Sequence, residues 1–190
     1  MGLKAVVELY KAHASEDGLP ARQSGRLPML VIDGIPYYIE TRFNVLRPVN
    51  IYLPEIDYGA CSRLTNDGQH QLFFYDKKCG KGINDLSGYI PENVLLVKVP
   101  ENRFLDPFMH SMLTNLPVSR FLENGRLLMY RVAETVPVTQ RMINRVINKM
   151  GPRESFENLF NNAKRIALAA NSTLQTTSGT KHKKRRNSLR

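Results

Sequence analysis

Cysteine occurs only twice in these 190 residues, at Cys61 and Cys79, so at most one disulfide is available. A chain this long folds without one, and two reduced thiols fit a cytosolic or nuclear compartment. No apolar run approaches the roughly 18–20 residues that cross a bilayer, which argues against a membrane protein. The first residues lack the basic segment and apolar block of a secretory signal. Val6 stands where a myristoylation signal wants Ser or Thr. The triplet Asn171-Ser172-Thr173 thus has no route to the glycosylation machinery. No G-x-x-x-x-G-K phosphate loop and no internal repeat occurs, and no cofactor is called for.

Acid is scarce as well. Seventeen Asp and Glu oppose 27 Lys and Arg, a net charge of +10. Six of the basic residues and no acid fall in Lys181–Arg190, so the first 180 residues carry only +4. A block of like charge with no apolar partner cannot offset the entropy of ordering, and it attracts polyanions. Residues 175–190 are therefore expected to form a disordered basic tail in which Lys183, Lys184, Arg185 and Arg186 contact phosphate. In a eukaryotic host the same four residues resemble a nuclear-import signal, and Arg185-Arg186-Asn187-Ser188 suits a kinase that prefers two arginines before serine. The expected location is the cytoplasm, or the nucleus of such a host.

The remaining composition, 42% hydrophobic and 23% charged, is that of a globular domain. Leu3 to Ala14 has helical spacing. Met29–Ile32 and Ile35–Ile39 flank Asp33-Gly34, a hairpin signal, although Pro36 would have to face an edge. Further strands are expected over 49–53, 69–75, 94–99 and 126–133, and helical structure over 103–122, broken at Pro117, and over 137–174. Strands early and helices late predict an α+β fold: a mixed core over 1–134 with an antiparallel, hairpin-rich sheet, and a helical pair over 135–174 packed on it.

That helical pair is the main candidate for function. In its first member Val138, Met142 and Ile143 begin an apolar stripe, while Arg141, Arg145 and Lys149 recur every four residues on another face. Gly151-Pro152 suits a helix end and a new start. In the second, Phe156, Leu159, Phe160, Ala163, Ile166, Ala167 and Ala170 fall on one side. Opposite lie Asn158, Asn161, Asn162 and Arg165. Asn is a weak helix former, so three on one face suggest a use beyond solubility. Asn can pair with an adenine edge and Arg with a guanine edge. A helix-turn-helix-like unit would use such a face, with the first helix holding phosphates.

The expectation is a small, non-enzymatic nucleic-acid-binding protein, with DNA ahead of RNA, such as a viral or mobile-element accessory factor. The alternative is a structural, assembly or adaptor protein whose C-terminal helices bind a protein partner or a second copy while the tail localises it. A third reading is a metal-dependent nuclease. Asp67, Asp76 and Lys78 resemble a pair of metal-binding carboxylates with a charge-stabilising lysine, which Glu8 or Asp57 could complete. Turn chemistry explains the same acids. Cys61, His70 and Cys79 lack zinc-knuckle spacing, and His13, His70, His110 and His182 pair locally with no nucleophile. Lys78-Cys79-Gly80-Lys81-Gly82 is either a phosphate-contacting loop or a connection. Tyr37 or Tyr38, beside Arg42 and Arg47, could stack on single-stranded bases.

Overall fold

The computed structural model describes residues 3–12, 14, 16–84, 92–147 and 152–179, and the side chains among them other than those of 145–147, 152–155 and 171–179. In chain order, α1 (Leu3–Ala12) and α2 (Leu19–Gln23) precede four strands, β1 (Met29–Ile32), β2 (Ile35–Glu40), β3 (Val45–Pro48) and β4 (Ile56–Asp57). A short helix α3 (Tyr58–Cys61) leads to β5 (Arg63–Leu64), β6 (His70–Asp76), β7 (Lys81–Ile83) and β8 (Val94–Pro100). Then come α4 (Asn102–Leu105), α5 (Pro107–Thr114), a 3-10 turn at Val118–Arg120, β9 (Tyr130–Val132), β10 (Glu134–Pro137), α6 (Gln140–Ile147) and α7 (Pro152–Gly179). The fold is α+β, with antiparallel hairpins dominating the first two thirds and helices closing the chain.

The strands form two sheets. One has the order β4-β3-β2-β1-β9 and the other β10-β8-β6-β5, with β7 also paired to β6. All neighbours are antiparallel except β1 and β9. Successive strand residues point to opposite faces. Leu30, Ile32, Tyr37 and Ile39 of the first sheet therefore meet Phe73, Tyr75, Leu95 and Val97 of the second in a shared inner core. Tyr37 and Tyr75 join hydroxyls across it at 2.9 Å. Burial raises the pKa of both phenols, that of Tyr37 most.

The outer faces are covered by helices. Met29 and Val31 lie under Val6 of α1. Leu72, Phe74, Val94 and Leu96 lie under Val138, Ile143, Leu159, Phe160 and Ala163. This covering on both faces explains why β1 and β6 read as continuous apolar runs rather than alternating ones. The chain passes between sheets at Ala133, whose N–H donates to Val31 O at 2.9 Å, so β9 ends one sheet and β10 ends the other.

Several expectations need correction. The strand placed at 49–53 is β3, four residues earlier, and Ile51 and Tyr52 stand 84% and 89% exposed. The strand at 126–133 is only β9, preceded by a tight turn in which Glu123 pairs with Arg126. The helix at 103–122 is α4, α5 and a 3-10 turn, divided first at Asp106. Pro36 lies on an interior strand, not at an edge. Its carbonyl accepts from Val49 N, so its nitrogen faces the β3 side just beyond Pro48, where that strand has ended and no donor is needed. Finally, α7 continues to Gly179 rather than ending at Leu174.

Residues 22 and 106 make a buried tie that sequence patterns do not disclose. Arg22 Nε lies 3.1 Å from both Asp106 carboxylate oxygens, and its Nη2 lies 3.0 Å from Oδ2. The two side chains are only 6% and 0% exposed. Asp106 also accepts from Met109 N, capping α5.

Candidate nucleic-acid interface

Thr139 opens α6, with its carbonyl and hydroxyl accepting from the N–H of Met142. Ile143 then enters the core at 1% exposure, leaving Arg141 on the solvent side. Arg145 is on the same helix but its side chain lies outside the described residues, and Lys149 and Gly151 lie outside them altogether.

Pro152, which lacks the N–H a first helical turn leaves unpaired, starts α7. The helix has 28 residues, about 42 Å at 1.5 Å per residue. Its first half is fixed to the second sheet. The Phe156 ring packs 5.1 Å from that of Phe74, and Leu159, Phe160 and Ala163 are buried. Lys98 Nζ lies 5.9 Å from the Phe160 ring centre, Lys164 Nζ lies 2.8 Å from Glu134 Oε2, and Asn66 N donates to Glu157 Oε2 at 3.2 Å. The hydrogen bond from Lys164 holds the Glu134 carboxyl below its usual range.

Those contacts fix the helix's rotation about its own axis. At 100° per residue, Asn158, Asn161, Asn162 and Arg165 share an arc of about 100° opposite Phe160 and Ala163. All four are exposed. Arg165 Nη2 lies 3.4 Å from Asn162 Oδ1, so the cation and one amide already stand together. Arg141 faces outward from the same helical layer. The apolar stripe departs from expectation at its far end. Ile166 is 58% exposed and Ala170 is exposed too, because the sheet's cover ends near Ala163.

The tail residues Lys183, Lys184, Arg185 and Arg186 lie outside the described residues. Asp67 and Asp76 are not brought together. Asp67 lies in the turn before β6 and Asp76 is the last residue of that strand, whose seven residues span about 20 Å, too far for the two to share a metal ion. Asp76 is 4% exposed and accepts from the N–H of Lys78 and Cys79, closing the turn after β6. Asp67 accepts from Thr65 Oγ1 and Gln69 N, which lowers its pKa. Lys78 is exposed. Asp57 caps α3 and Glu8 pairs with Lys11, so neither completes a metal site. Among the described residues no three His, Cys, Asp or Glu converge on a metal position.

The glycine-containing segment after Lys78 runs from the end of β6 into β7. Gly80 has φ 68°, and a Cβ at Gly82 would stand 2.9 Å from Cys61 Sγ. Burial pushes that thiol up to about 12. Tyr37 is buried, and Tyr38 is partly covered with Arg47 5.9 Å from its ring centre. Among the described residues the aromatics in open solvent are Phe43, 64% exposed and 5.7 Å from the Arg42 guanidinium, and Tyr52. Comparison with protein-family models, curated proteins and solved structures gives no match.

Proposed function

We propose that the protein binds nucleic acid, DNA in preference to RNA, without acting on it chemically. The exposed Asn158/Asn161/Asn162/Arg165 face would read bases, Arg141 and Arg145 would hold phosphates, and the basic C-terminal arm would supply sequence-independent affinity. The observation that carries this reading is the rotation of α7. Its apolar side is occupied by the sheet while three amides and a guanidinium face solvent together.

The test is binding of the full chain to labelled duplex DNA, single-stranded DNA and RNA across a salt series. Each phosphate contact contributes about 0.9 to the slope of log affinity against log salt. Neutralising the six tail cations should therefore reduce the slope by up to about 5. Asn158→Ala with Asn161→Ala should flatten sequence preference more than affinity. No binding at low salt, or binding indifferent to both changes, refutes the reading.

A second reading, assembly through the C-terminal helix, is favoured by Ile166 and Leu168, 58% and 62% exposed beyond the docked half of α7. Light scattering without nucleic acid separates the two, since an assembly protein oligomerises alone and Ile166→Lys would disperse it.

A further inference from the structure

The two outer sheet faces are unequally covered. Two helices cover the second sheet, whereas the ten-residue α1 lies over the first. Beside α1 the uncovered strip forms a groove of about 850 Å³, within the size range of small-molecule sites. Its walls are mainly apolar: Leu3 and Val7 of α1, Val31 and Ile35 of the first hairpin, Leu53 of the following loop, and Val132 of β9. Val132 is 64% exposed on an edge strand, so the groove opens to solvent there.

Few polar side chains line it. They are Lys4, Glu8 and Lys11 of α1, together with Asn50 and Tyr130. Glu8 is paired with Lys11 at 3.1 Å. Lys4 has no ion-pair partner among the described residues and remains the uncompensated charge at the rim.

An apolar trough with one unneutralised cation complements an amphiphile that has an alkyl chain and a single negative head. We propose that the groove binds a free long-chain carboxylate of the fatty-acid type, with its chain along Val7, Val31, Leu53 and Val132 and its carboxylate at Lys4. A cationic ligand would meet Lys4 unfavourably, and a neutral one would leave that charge unmatched. The proposal is independent of nucleic-acid binding, whose residues lie on the other outer face.

The experiment is displacement of a polarity-sensitive fluorescent probe from the full chain by monomeric saturated carboxylates of eight to fourteen carbons, with the matching alcohols and anionic phospholipid vesicles in parallel. Affinity should rise about fourfold per methylene until the groove is full. Carboxylates should bind more tightly than alcohols. Lys4→Gln should erase that difference, and Val132→Asp should weaken both series at least tenfold. Both residues are exposed, so unchanged thermal melts should show that the variants keep the fold. Absence of displacement, indifference to Val132→Asp, equal affinity for carboxylate and alcohol, or binding to vesicles alone would overturn the proposal.

Discussion

Asp106→Ala should be among the most damaging single substitutions in the chain. It removes the carboxylate that Arg22 grips through three contacts and leaves a guanidinium only 6% exposed without its counter-charge. Breaking a buried ion pair from one side costs about 3–5 kcal/mol. The same carboxylate caps α5 through Met109 N, and losing that cap adds about 1 kcal/mol. The sum of about 4–6 kcal/mol is a large share of the roughly 5–15 kcal/mol that holds a domain folded. At about 2–4 °C per kcal/mol for a chain of this size, the melting temperature should fall by about 8–24 °C. Asp106→Asn separates the contributions, since its amide oxygen can still accept from Met109 N while the charge is gone. In Arg22→Met with Asp106→Leu neither buried charge remains, so the double variant should be more stable than Asp106→Ala alone. Urea unfolding followed by circular dichroism measures all three. A cost below 1 kcal/mol for Asp106→Ala, or a double variant no more stable than Asp106→Ala, would refute the reasoning.

Phe160→Ala, which empties a site between α7 and the second sheet, should destabilise by about 3–5 kcal/mol in the same assay. A thiol reagent at pH 8 should titrate Cys79 quickly and Cys61 only after denaturation, because Cys79 is exposed and burial holds the Cys61 thiol up near 12. The lowered pKa of Glu134 implies stability that is present above the ordinary carboxyl range and lost as pH falls through the lowered value. With both partners about half exposed, this should amount to about 0.2–1 kcal/mol, weakened by salt and absent from the pH profile of Lys164→Gln.

What the sequence disclosed was local. Asp33-Gly34 announces its hairpin because both residues sit at positive φ, 47° and 82°, where Asp and Gly are tolerated. The buried stripe of α7 follows from spacing alone, as does the exposure of its asparagines. What stayed hidden depends on distant partners. Val49, Ile51 and Leu53 alternate like a strand, yet pairing is decided by β2, which reaches Val45–Pro48 through a turn ending at Asn44, φ 55°. Nothing near Met29 foretells its parallel neighbour Tyr130, and Arg22 and Asp106 are 84 residues apart. The fatty-acid groove was equally illegible, because it exists only where α1 stops short of covering a sheet whose last strand comes from the far end of the chain.

That late strand has a consequence for how the protein is made. β1 waits for β9, about 100 residues downstream, and β8 waits for β10, so both sheets keep a raw edge until the chain has passed Pro137. At about 5–20 residues per second, the first hairpin spends roughly 5–20 s of synthesis with an unpaired flank. Neighbouring nascent chains on one message would then each carry an open flank able to pair with another chain, a route to misassembly that closes once β9 and β10 have docked.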